Sequence, residues 1–205
     1  MKTKAAEIKI IDESDDIVVI EKPALIDSQN SREGRPSVVD WLTRRYGFAG
    51  LMHRLDFGTS GLMVCAKNPD AARGITRAFA GGTIGKTYLA IIFGRMKKDG
   101  GEFSSPIEEK PALTRFRVLE RFSNATLVEV ELLTGRKHQI RRHFAEAGFP
   151  LVGDHLYGKK GSDRLFHRPA LHACKLVISG KTYRSELPAD LAELLARWKR
   201  EQQRE

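Results

Sequence analysis

His53-Arg54-Leu55-Asp56-Phe57-Gly58-Thr59-Ser60-Gly61 runs straight into the apolar stretch Leu62-Met63-Val64-Cys65-Ala66. A Gly-containing turn followed by an apolar run of strand length sets Asp56 at the rim of a sheet, facing a cleft rather than a core. Arg54, two residues earlier, favours the charged form of a neighbouring carboxylate. A positioned carboxylate can serve as nucleophile or general base. Taken alone, the same residues also describe a surface turn in which Asp56 pairs with Arg54, the commoner arrangement for an isolated Asp–Arg pair.

Two short strands are expected around this stretch, over 8–11 and 17–20, separated by Asp12-Glu13-Ser14-Asp15-Asp16. Residues 28–36 are polar with Gly and Pro and are expected to form a loop. Ser37 caps a helix reaching about Tyr46, with Val38, Trp41 and Leu42 on one face. Asn68-Pro69-Asp70 opens a second helix, with Ala71, Ile75, Ala78 and Phe79 apolar, which Gly81-Gly82 stops. Strands are expected over 87–93, 116–122 and 127–133. Residues 96–111, rich in Gly and charge, are expected to be a mobile excursion. Residues 139–147 are helical up to Gly148, and 175–183 form a hairpin turning at Ser179-Gly180. Leu191, Leu194, Leu195 and Trp198 fit one face of a last helix. Short strands interspersed with helices indicate an α+β domain with a mixed, largely antiparallel sheet flanked by helices.

The chain has 205 residues, with 35 Lys and Arg against 26 Asp and Glu, a formal net charge of +9. That balance favours a polyanionic partner. The cations concentrate at Arg136, Lys137, Arg141 and Arg142, at Lys159, Lys160 and Arg164, and at Arg95, Lys97 and Lys98. Cys65 and Cys174 have neither CxxC nor metal-ligand spacing and are expected to be buried thiols in a reducing compartment. No apolar segment has the length of a signal peptide core or of a bilayer span, so a soluble cytoplasmic protein is expected. Gly81-Gly82-Thr83-Ile84-Gly85-Lys86-Thr87 is not a phosphate-binding loop, because Ala80 stands where the first Gly is required and a strand is expected to follow. His138 and His143 are five apart, as are His167 and His172, whereas helical zinc pairs sit four apart, so no metal is expected.

Three further stretches change the weight given to Asp56. They are Thr134-Gly135-Arg136-Lys137-His138-Gln139-Ile140-Arg141-Arg142-His143, then Pro150-Leu151-Val152-Gly153-Asp154-His155-Leu156-Tyr157-Gly158, and Lys86-Thr87-Tyr88. With His53–Leu62 and Asp15–Pro23, they resemble, in order, the motifs of the RluA-type RNA pseudouridine synthases. Several long motifs in order are far more specific than any one of them.

The resemblance implies isomerisation of uridine to pseudouridine in structured RNA, either transfer RNA or large-subunit ribosomal RNA. No cofactor is needed, since the base is detached, rotated and rejoined through carbon with no redox change. Asp56 is the implied catalytic residue, by a route the sequence leaves open. Arg141 is implied to pair with Asp56, with Arg136 an alternative. Tyr88 is implied to stack on the flipped uracil or join proton transfer, and Arg54 to displace the target nucleotide from its stack. Lys86, Arg136, Lys137, His138 and Arg142 are the expected RNA contacts.

The implied fold is a single catalytic domain over 1–205, with a bent sheet and a central cleft. Only about 14 residues precede the Asp15-Asp16 turn, so no separate N-terminal RNA-binding domain is expected. A monomer is expected. The spelling departs after Lys22-Pro23: the family often continues with Ala-Gly and an apolar-His-Pro segment, whereas this chain has Ala24-Leu25-Ile26-Asp27-Ser28-Gln29. That loop bears on the substrate entrance. Two rival readings are a non-catalytic RNA-binding protein on the same scaffold and a hydrolase using Asp56 with a histidine. The first has no use for a carboxylate near phosphates, and the second lacks any nucleophile-elbow or metal motif.

Overall fold

A computed structural model describes residues 7–30, 34–158 and 165–203. The chain divides into two compact units, residues 1–84 with 175–185 and residues 85–174 with 186–205. In the first unit, strands β1 (Lys9–Glu13) and β2 (Ile17–Lys22) pair antiparallel, with Lys9 opposite Glu21. Helix α1 (Val38–Tyr46) begins where the Ser37 side chain accepts the Asp40 N–H and ends at Gly47 in the left-handed region.

Strands β3 (Gly50–Leu51) and β4 (Ser60–Ala66) follow. β2 lies antiparallel to β4 from Ile17 opposite Ala66 to Lys22 opposite Gly61. All seven β4 residues are buried, which is why the sequence from Leu62 to Ala66 is continuously apolar rather than alternating. Helix α2 (Pro69–Ala80) is capped by Asn68, with Pro69 in its first turn. Val19, Leu62, Val64, Ile75, Ile84 and Leu176 form the core of this unit, each such side chain contributing roughly 1.5–3 kcal/mol by burial.

The second unit holds β5 (Gly85–Phe93), β6 (Gly100–Phe103), β7 (Thr114–Arg121) and β8 (Ala125–Leu132), in spatial order β5-β8-β7-β6 with antiparallel ladders. Helix α3 (Gln139–Glu146) follows. Strand β9 (Leu171–Ile178) turns into β10 (Lys181–Arg184) through Ser179 and Gly180, at φ 50 and 76. Two consecutive left-handed residues match the twist of a tight hairpin.

Helix α4 (Ala189–Gln202) buries Leu191, Leu194, Leu195 and Trp198 against Ile91, Phe122 and Leu127. Its first turn is tied down by Arg168, 1% exposed, whose Nε and Nη2 donate to Asp190 at 2.7 and 2.9 Å. Burial opposes the charge on Asp190, but the guanidinium outweighs it and holds the carboxyl below the usual range.

The expected α+β class with largely antiparallel pairing is what the chain adopts. Two expectations need correction. Residues 96–111 are not a loose excursion. They contain β6, which pairs with β7, and Met96 and Ile107 are buried. The glycines there serve close approach: a Cβ on Gly100 would lie 2.8 Å from the Phe116 carbonyl oxygen, and one on Gly101 would lie 3.2 Å from the Phe116 ring. Phe103 then stacks on Phe116 at 5.0 Å and meets Phe144 of α3 edge-on at 5.1 Å. Cys174 is half-buried rather than buried, its Sγ lying 3.4 Å from the Thr87 carbonyl oxygen.

Candidate active site

In the first unit the backbone around Asp56 is held from several sides. The Val64 N–H donates to His53 Nε2 at 3.0 Å, so that nitrogen is unprotonated and the first residue of the motif is locked to β4. Ser28 clasps Leu55 twice, accepting its N–H at 3.1 Å and donating to its carbonyl at 2.6 Å. The Thr59 N–H donates to the Asp56 carbonyl at 3.0 Å, closing the turn. Gly61 then takes φ 116, a conformation that L side chains rarely adopt, which accounts for glycine at the entry to β4.

The Leu25 N–H donates to the Phe57 carbonyl at 2.7 Å. Lys22 is fully buried, and its Nζ donates to the carbonyls of Pro23 at 2.9 Å and Ile26 at 2.8 Å, with Phe57 O at 3.5 Å. A buried ammonium is tolerated only with such partners. Leu55 is buried, which anchors the turn, while Asp56 is only partly buried. Arg54 is exposed and donates to Gln29 Oε1 at 2.8 Å rather than pairing with Asp56. The Thr59 hydroxyl is buried and has no hydrogen-bond partner among the described residues.

In the second unit the cationic motif is organised by buried polar groups. Gln139, 2% exposed, uses its whole amide. Oε1 accepts from Thr134 Oγ1 and the Arg136 N–H, while Nε2 donates to the Leu113 carbonyl and Thr114 Oγ1. His143 continues the chain, with Nε2 2.9 Å from the Ser105 carbonyl and Nδ1 2.9 Å from Thr114 Oγ1. A carbonyl only accepts, so the proton sits on Nε2 and the Thr114 hydroxyl donates to Nδ1. Every donor then meets an acceptor, which fixes α3 and the loop before it.

Arg141, 4% exposed, makes a bidentate pair with fully buried Asp154: Nε to Oδ2 at 2.7 Å and Nη2 to Oδ1 at 2.8 Å. Asp154 Oδ1 also accepts the N–H groups of Leu156 and Tyr157. Burial opposes the charge on Asp154, but Arg141 and the two N–H groups outweigh it and hold the carboxyl below its usual range. The Tyr157 ring lies 5.2 Å from the Arg141 guanidinium, and its hydroxyl is 3.0 Å from His138 Nδ1. The Gly153–Gly158 segment therefore holds two side chains of the cationic motif.

Tyr88, on β5, is 5% exposed. Burial pushes the Lys86 ammonium below the usual lysine range. A Cβ on Gly135 would lie 3.6 Å from its Nζ, which places Lys86 beside the cationic motif. The other cations are engaged differently. Arg136 Nε donates to the Pro111 carbonyl, Arg142 reaches Glu108 at 3.2 Å, and Lys137 is exposed. Sequence reasoning did not single out Lys22, Ser28, Thr114, Gln139, His143 or Asp154 for these roles. Only tertiary contact reveals them, although an uncharged polar residue inside an apolar helix face, as at Gln139, is a signal. Among the described residues no three His, Cys, Asp or Glu side chains cluster as a metal site. No helix there is long and apolar enough to cross a membrane.

A family profile described as RNA pseudouridylate synthase matches residues 16–146, spanning the Asp56 turn, Tyr88 and Arg141. The chain is 35% identical to a ribosomal large subunit pseudouridine synthase D of Nitrosomonas europaea, over 95% of this chain and 66% of that protein. It is 36% identical to the protein of the same name from Haemophilus ducreyi, over 96% of this chain and 72% of the relative. The chain thus spans about two thirds of the length of these relatives. Among solved structures, human RNA pseudouridylate synthase domain containing 4 superposes with a TM-score of 0.78, covering 93% of each chain at 23% identity, a likeness that speaks to the fold alone. From the profile match and the identity to these relatives, the chain belongs to the RNA pseudouridylate synthase family.

Proposed function

We propose that this chain isomerises uridine to pseudouridine in structured RNA, with Asp56 as the catalytic carboxylate and Tyr88 and Arg141 as its partners in the reaction. The observation that carries this reading is the bonding around Asp56. Lys22, Ser28, His53 and Thr59 fix the backbone on both sides of this partly buried residue. Preorganisation of this kind is what a group acting on a bound substrate requires. Asp56 would attack the sugar or base, or assist proton removal, while the bond between ribose and the uracil ring nitrogen breaks, the base turns, and a ring carbon joins the ribose in its place, giving up its proton as the freed nitrogen gains one. Buried Tyr88 offers a rigid ring against the extruded base. Arg141, fixed by Asp154, offers a fixed positive charge.

Large-subunit ribosomal RNA is the favoured substrate, because the relatives above are named for it. Transfer RNA is the alternative outcome of the same test. The chain is proposed to act as a monomeric catalytic domain on cytoplasmic RNA. The test is pseudouridine mapping on total RNA, comparing cells carrying the wild-type chain with cells carrying only Asp56→Asn. A uridine that loses its modification in the mutant identifies both activity and target. If the variant modifies RNA as well as the wild type, Asp56 is not catalytic. If neither chain modifies any uridine, the non-catalytic RNA-binding reading takes its place.

A further inference from the structure

Leu25 has φ 63, in the left-handed region where a bulky side chain is a rare outlier. The resemblance described above leads to glycine at this position, and a leucine stands there instead. The conformation is imposed from both sides: the Leu25 N–H is held by the Phe57 carbonyl, and Lys22 Nζ grips the flanking carbonyls of Pro23 and Ile26. The side chain is 48% exposed, so burial does not account for a leucine in a strained conformation. Phe57, the residue after Asp56, is 36% exposed. The Arg35 guanidinium lies 4.6 Å over its ring and is itself held by Asp27 at 3.0 Å. Persistent strain beside a functional group points to a role for the strained residue.

We propose that Leu25 and Phe57, backed by Arg35, form a ledge that binds an unpaired RNA base neighbouring the uridine presented to Asp56. An apolar side chain, an aromatic ring and a guanidinium plane together suit the flat face of a base, and such faces are recognised by stacking with little regard to sequence. The inference rests on the pseudouridine synthase reading and adds a binding element to it. Leucine at position 25 then sets how this member grips RNA next to its target.

The test uses unmodified large-subunit ribosomal RNA and transfer RNA transcripts, the one that the wild type modifies serving as substrate, with the full chain, Leu25→Gly, Leu25→Ala and Phe57→Ala. Leu25→Gly removes the strained side chain, so it should resist urea at least as well as the wild type while KM rises about fivefold. Leu25→Ala keeps the strain and should show the same rise in KM. Phe57→Ala should raise KM about tenfold, with kcat falling less than KM rises. In an Asp56→Asn background, adding Leu25→Gly should weaken binding to the transcript about fivefold, a readout independent of turnover. Unchanged KM and unchanged binding in the Leu25 variants would overturn the ledge even if Asp56 proves catalytic. If the wild type neither binds nor modifies RNA, the pseudouridine synthase reading and the ledge fall together.

Discussion

Replacing Asp154 by asparagine tests whether the Gly153–Gly158 segment holds the Arg141 guanidinium as the geometry indicates. The carboxylate is fully buried and accepts from Arg141 Nε and Nη2 and from two backbone N–H groups. An asparagine oxygen can keep the backbone donors, but its NH2 group then faces Arg141 Nε, donor against donor. Breaking a buried pair by removing one charge costs about 3–5 kcal/mol. For a chain of this size that corresponds to a fall in Tm of about 6–20 °C. Urea unfolding followed by tryptophan fluorescence measures it directly, and a loss below about 1 kcal/mol would refute the reasoning.

The same pair carries a pH signature. The folded carboxyl lies below its unfolded value, so its contribution is complete above the unfolded pKa of about 4. It is lost as pH falls through the folded value. The stability gap between wild type and Asp154→Asn should therefore be largest near neutrality and shrink below about pH 4. A gap that widens in acid contradicts the assignment. Turnover should fall with Asp154→Asn even at temperatures where the variant is folded, because Arg141 loses its orientation.

Other consequences are open to separate measurement. Lys22→Met leaves at least two carbonyls without their ammonium, at about 1–3 kcal/mol each; urea unfolding should show that loss, and turnover of the folded variant should drop because the Asp56 turn loosens. Burial pushes the Cys65 thiol up to about 12, so a thiol reagent at pH 8 should titrate Cys174 in the native chain and reach Cys65 only after unfolding; two fast thiols in the native state would contradict this. RNA affinity should fall steeply with salt, and Lys137→Gln should reduce the slope of log K against log salt by about one. An unchanged slope removes Lys137 from the RNA contacts.

Much of this molecule was legible before folding. The helices over 38–46 and 69–80 announce themselves through Ser37 and Asn68, whose side chains accept N–H groups within their own first turns. The hairpin at Ser179-Gly180 likewise follows from residues adjacent in the chain. Local bonds of this kind are written in local sequence. In residues 96–111 glycine and charge signal a loop by composition, whereas here glycine serves the approach of β6 to Phe116, a neighbour that only pairing supplies.

The site divides the same way. The family, the candidates Asp56, Tyr88 and Arg141, and the cationic character of the chain are readable from residue type and order, which carry the chemistry. Tertiary structure alone decided what holds those groups. Lys22 reaches Phe57 across 35 positions, Ser28 clasps Leu55 across 27, and Asp154 grips Arg141 across 13. It alone showed, too, that Leu25 is left-handed and exposed. Side chains distant in the chain become partners only when the backbone brings donor and acceptor within about 3 Å in a site shielded from water, and no local pattern encodes that distance.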